Sequence, residues 1–254
     1  MKRLVKILLS VLTLCFIIIL CTSCGKSSSG NGGKGGGGGI FSPIVNYYDV
    51  NFHTNGGSSI ETVSIKENDY LDYTPFTIRN NYAFDGWYLD ETLTVAAVFP
   101  LKVENEVNLY AKWLKTREET SCKDAVIKFW ANDDCAAIYD ITPSGFNLDR
   151  LEELEYYCHI YVTYDVYYKK DYDVPFDIGY AGAPKFEAYI LRPDGSGYGD
   201  DDIKATTSTK SREIDVNVRI SDIKDKKLSL SFSTDNIQNK IYFKNINVIF
   251  CFEK

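Results

Sequence analysis

Residues 157–168 read YCHIYVTYDVYY, and their alternation decides the fold. Cys158, Ile160, Val162, Tyr164, Val166 and Tyr168 fall on one phase of period two. His159, Thr163 and Asp165 fall on the other, with Tyr157, Tyr161 and Tyr167. Side chains of a strand alternate between its two faces, so this is a strand with one face buried. The same rhythm recurs downstream. EIDVNVRI, 213–220, puts Ile214, Val216, Val218 and Ile220 inside and Glu213, Asp215, Asn217 and Arg219 outside. KLSLSF sets Leu228, Leu230 and Phe232 against serines, and Ile246, Val248, Phe250 and Phe252 alternate near the end. DAVIKFW and KFEAYIL add two strands. NLDRLEELE is expected to hold a short helix, with Asn147 as its cap and Leu148, Leu151 and Leu154 facing in. Several one-faced strands separated by turns close naturally as an antiparallel β-sandwich, here over residues 117–254.

The whole chain has 254 residues, 44% apolar and 14% aromatic, with 19 tyrosines. That is enough apolar material for real cores. The formal charge of -7 argues against nucleic-acid binding and against docking on anionic lipid through protein charge. LKTREET, 114–120, reads as a polar joint between the sandwich and an earlier unit, 46–114.

That earlier unit opens with VNFHTNGGSS, 50–59, a strand and a turn. Asn55, Gly56 and Gly57 suit positive φ. NLYAKW closes it, with Leu109, Ala111 and Trp113 on one face. Together VNFHTNGGSS, YAFDGWYLDETLT and VNLYAKW resemble the Listeria–Bacteroides repeat, also called the internalin-type B repeat. The resemblance covers about a quarter of the chain and implies a small β-grasp-like module on a secreted or surface protein, without catalysis. Asn81 stands where that family usually has glycine, and the turn needs a residue that tolerates the left-handed region. Phe84, Trp87 and Trp113 are expected as the core, the alternative being Trp87 and Tyr88 as an exposed platform for a glycan.

The N-terminus bears on location. MKRLVK is basic, and Ile7 to Leu20 is an apolar run of fourteen. A membrane span needs roughly 20 residues, so the run suits a secretory signal. Thr22, Ser23 and Cys24 follow, which resembles a bacterial lipobox. The resemblance implies cleavage after residue 23 and a covalent lipid on Cys24. An uncleaved signal anchor is the alternative and leaves the rest on the same side of the membrane. Residues 24–45 are Gly/Ser-rich and form a flexible tether. The expected location is the extracytoplasmic face of the cell membrane.

Chemistry is sparse. His53 and His159 both sit on polar strand phases, and no serine elbow, P-loop or paired-cysteine motif occurs. PDGSGYGDDD, 193–202, superficially resembles a calcium loop, but Ala205 stands where its distal acid belongs. It reads as a solvated hairpin loop, and no metal is expected. Cys122, Cys135, Cys158 and Cys251 allow disulfides outside the membrane, and buried free thiols serve equally well. Tyr157, Tyr161 and Tyr167 could pack in a core, pair across strands, or contact a glycan. The expected function is binding: adhesion or envelope interaction through the sandwich, with an envelope or host glycan or protein as ligand. A passive envelope component is the alternative, and a glycan hydrolase with two close acids a third. No catalytic residue and no cofactor beyond the lipid is expected.

Overall fold

The computed structural model describes residues 44–127, 136–170, 183–234 and 239–254. Cys24, the tether and Cys135 lie outside the described residues. The first part of the chain contributes β1 (Tyr47–His53), β2 (Val63–Lys66), β3 (Tyr70–Leu71), β4 (Tyr82–Tyr88), β5 (Leu101–Lys102) and β6 (Val107–Lys115). The second contributes β7 (Arg117–Ser121), β8 (Ala125–Ile127), β9 (Ala136–Asp140), α1 (Leu148–Glu153) and β10 (Tyr157–Lys170). It continues with β11 (Lys185–Leu191), β12 (Gly197–Lys204), β13 (Lys210–Val218), α2 (Ile220–Ile223), β14 (Ser229–Ser233) and β15 (Asn239–Glu253). Among the described residues the protein is all-β apart from two short helices. No helix among the described residues is long and apolar enough to cross a membrane.

The module is a sheet in the order β2-β1-β6-β4, plus the small β3-β5 pair. Its first and last long strands, β1 and β6, are adjacent and parallel, while β2 and β4 pair antiparallel on either side. This is a β-grasp-like arrangement. Val50, Leu71, Trp87, Val103, Leu109 and Ala111 form its core, with Phe84 and Trp113 packed against them. The Phe84 ring lies edge-on to both indoles at 5.5 Å. Asn55 and Gly56 turn with φ of 50° and 90°, and Asn81 adopts φ 63° in place of the family's glycine.

The sandwich sets one sheet, β13-β10-β15-β7 with β8 also on β15, against a second, β12-β11-β14-β9. The alternating residues of β10 face inward as expected, from Cys158 through Val166. They meet Phe186 and Phe232 of the second sheet, and Tyr164 lies 4.9 Å from the Phe232 ring. Phe243 of β15 reaches across to Phe232 at 4.3 Å and to Phe186 at 5.1 Å. Burying such side chains contributes roughly 1.5–3 kcal/mol each, so this aromatic layer is a main source of cohesion. At α1, Asn147 caps as expected, its Oδ1 accepting the Arg150 N–H at 3.1 Å.

Two expectations are corrected. The polar stretch 114–120 is strand on either side of Thr116, the end of β6 before it and the start of β7 after it. Leu114 is 5% exposed and, with Ala83, belongs to the sandwich core. Thr116 donates its N–H to Asn81 O at 2.9 Å and accepts the Phe252 N–H at 2.8 Å, which fixes the turn from β6 into β7. The polarity there is what a strand half-covered on its edge shows. The run 193–202 is a loop only at its start: Gly197 onward is β12, antiparallel to β11. Its three aspartates are exposed on an outer strand, and charge on such a strand discourages further pairing.

Candidate functional site

Two antiparallel neighbours leave β10 in the middle of its sheet, with β13 on one side and β15 on the other. Its inward phase is spent on the core. The outward phase therefore lies on the other face of the sheet, and directly opposed residues share that face. One row runs Asn217, His159, Cys251, Arg117, and the next Asp215, Tyr161, Ile249, Glu119. Farther along, Tyr167 stands opposite Tyr242.

Tyr157 is 51% exposed at the start of β10, opposite Glu253. Tyr161 is half-buried and stacks on His159, centroids 5.9 Å apart and planes 11° from parallel. Its hydroxyl lies 3.5 Å from His159 Nδ1. Partial desolvation, with the carboxylates of Asp215 and Glu253 nearby, pushes the Tyr161 phenol above its ordinary value. Tyr167 stacks on Tyr242 at 4.9 Å and 3°, and Lys169 Nζ sits 5.9 Å and 5.3 Å from the two ring centres. Tyr242 is a partner that sequence reading did not supply, because cross-strand register is not written in one strand.

All three tyrosines singled out from the sequence lie on this face, but not in one pocket. Tyr157 and Tyr161 are four residues apart and Tyr161 and Tyr167 six, or about 13 Å and about 20 Å along a strand. They are successive stations on one track. Tyr161 and Tyr167 each have one ring face covered by a stacking partner.

Trp87 is 2% exposed and donates its indole N–H to Pro75 O at 2.7 Å, so it is core and not a platform. Tyr88 accepts from Lys112 Nζ at 3.1 Å. His53 stacks on Tyr110 at 4.5 Å and sits 3.1 Å from Asn108 Oδ1. Asp194 accepts the Ser196 N–H at 2.9 Å and its hydroxyl at 2.6 Å, so its carboxylate serves the β11–β12 turn. Among the described residues no group of three His, Cys, Asp or Glu side chains is placed to hold a metal. Cys122, Cys158 and Cys251 are free thiols. Burial, with Cys251 as a smaller influence, pushes Cys158 up to about 12. Burial also raises Cys251, whose thiol donates to Glu253 Oε1 at 3.1 Å.

One feature was missed from the sequence. At Asp85–Gly86 the pairing of β4 with β6 slips, so Asp85 is an extra residue and Gly86 takes φ 134°. The bulge turns Asp85, 3% exposed at its side chain, onto Arg150 of α1 at 2.5 Å and Lys112 at 3.4 Å.

Residues 48–112 match the Listeria-Bacteroides repeat domain. Over 70 residues the chain is 37% identical to a protein of Evansella cellulosilytica described as a candidate membrane protein. It is 37% identical over 70 residues to a second, from the same organism, described as a candidate Gly-rich membrane protein. The alignments take in 27% of this chain and 10% and 8% of those relatives, so the chain spans about a tenth of their length. A solved structure of infectious bursal disease virus Gx strain aligns with 77% of this chain and 35% of its own, at 6% identity and a TM-score of 0.22.

Proposed function

We propose that this chain is an envelope-associated surface protein that presents a binding sandwich on a flexible tether. Cys24 carries the lipid, residues 24–45 form the tether, and the folded part stands on the extracytoplasmic face. The ligand is an envelope or host polymer, a glycan or an extended protein segment, held along the outer face of the five-stranded sheet. The observation behind this reading is the track of Tyr157, Tyr161 and Tyr167 on β10, stations too far apart for a compact ligand and well placed for an extended one. The surface-type repeat and the description of its relatives support the envelope part.

The test uses residues 40–254, made without the N-terminal segment, against isolated envelopes and a glycan panel. Replacing Tyr157, Tyr161 or Tyr167 by alanine should weaken binding about 2–12-fold each, from ~0.5–1.5 kcal/mol per aromatic contact. The fold should be unchanged, since these rings lie outside the core. Undiminished binding by the triple variant sinks the track. In cells, a labelled fatty acid should enter the protein and be lost in Cys24→Ala, while the unaltered chain sediments with the membrane fraction.

A second reading rests on the module. Phe76 and Ile78 are 72% and 65% exposed, an apolar pair of the kind that meets a protein partner. Envelope binding that survives loss of the tyrosines and fails in Phe76→Ser would favour a passive assembly role.

A further inference from the structure

We propose that the repeat module bears tension between the membrane anchor and the sandwich, with the parallel β1–β6 pair as its clamp. The proposal rests on the tethered-surface reading for its biological setting, and on the module's own topology for its mechanics.

The chain enters the module at Tyr47, the start of β1, and leaves at Lys115, the end of β6. These two strands are neighbours and run the same way, with Val50 opposite Val107 and His53 opposite Tyr110. A pull on the anchor draws β1 toward its own start. A pull on the bound sandwich draws β6 toward its own end. Parallel neighbours pulled in those opposite senses slide along each other, so their ladder bonds share the load and must fail together. Antiparallel neighbours pulled apart from one end, such as β1 and β2 from Tyr47 and Lys66, lose their bonds one at a time.

Side chains reinforce the same seam. Asn51 Nδ2 donates to Glu106 Oε1 at 3.0 Å. His53 lies 3.1 Å from Asn108 Oδ1 and stacks on Tyr110. Just past β1, Asn55 Nδ2 donates to Ala111 O at 2.8 Å, and the Trp113 indole N–H donates back to Thr54 O at 2.8 Å. Each bridges the β1 arm to β6, and sliding by one residue breaks all of them. Beyond Lys115 the load passes through Thr116, which is hydrogen-bonded to Asn81 on one side and Phe252 on the other. The module thus hands tension to the sandwich through a strand that is pinned at its turn.

Single-molecule pulling on the full chain tests this, with handles at Val45 and Lys123 for sliding and at Val45 and Lys66 for peeling. Forced rupture reads the unfolding barrier along the direction pulled. The expected result is a rupture force severalfold higher in the sliding geometry. His53→Ala and Asn55→Gly, which keep the backbone turn, should lower the sliding force and leave the peeling force unchanged. Equal forces in the two geometries, or a lower force on sliding, overturn the clamp. The outcome is independent of the anchoring test: an unaltered chain that takes up no fatty-acid label and leaves with the soluble fraction would defeat the tethered reading while leaving the force difference intact.

Discussion

Asp90 shows how much of this protein is held by single exposed side chains. Its carboxylate accepts the Thr92 hydroxyl, the Thr94 N–H at 3.0 Å and hydroxyl at 2.8 Å, and the Val95 N–H at 2.6 Å. The Thr92 hydroxyl is the largest influence holding the group well below its ordinary 3.8, against a smaller desolvation effect. Asp140, Asp165 and Asp194 are lowered in the same way, first by Thr142, Ser211 and Ser196 hydroxyls. A carboxyl depressed in the folded state adds stability above its unfolded value and loses it as pH falls toward its folded one. Urea midpoints should therefore hold between about pH 7 and 5 and fall progressively below about pH 4. Asp90→Asn should be less stable at pH 7 and show a shallower acid fall, and an unchanged acid slope would exclude Asp90 as a contributor. At this scale only the residue types are legible: PDGSG reads as a solvated loop, and the fold alone shows that Asp194 accepts the Ser196 N–H and hydroxyl.

Among elements, β15 carries the most informative irregularity. Thr163 pairs with Asn247 but Asp165 with Lys244, so β15 holds one extra residue at a bulge. Asn245 sits there at φ 49°, donating Nδ2 to Asp165 Oδ2 at 2.8 Å. The extra residue exchanges the two faces, which is how Ile241 and Phe243 and then Ile246 and Val248 all point inward. Asn245→Val should cost ~1–3 kcal/mol by forcing a branched side chain into the left-handed region, and Asn245→Gly distinctly less. Chemical denaturation of the two variants side by side checks the order. The alternation from Ile246 onward was legible because nothing interrupts it. The strand before it was not, since KN at 244–245 breaks the rhythm. β12 was hidden for another reason: its pattern is almost wholly exposed, and a strand without a buried face writes no period into the sequence.

For the whole molecule the decisive region is the passage from module to sandwich. Val45–Lys254 is one compact unit. Ala83 and Leu114 of the module lie in the sandwich core, and Asp85 meets Arg150 of α1. This unit should unfold in a single transition with coincident probes. Leu114→Ala should cost about 2–5 kcal/mol, and should lower the one midpoint rather than split it. Two separated transitions in the unaltered chain would show that the module folds on its own. The sequence made both halves visible, through NGG, FDGWY and LYAKW in one and period two in the other. It concealed their union, because one buried leucine in a polar run and one bulged aspartate carry it. Trp87 and Trp113, two of the chain's three tryptophans, are both in the module core, and each donates its indole N–H to a backbone carbonyl. Fluorescence from this protein therefore reports in large part on the module, so a ligand settling on the tyrosine track, which contains neither indole, can bind while leaving both dark to the event.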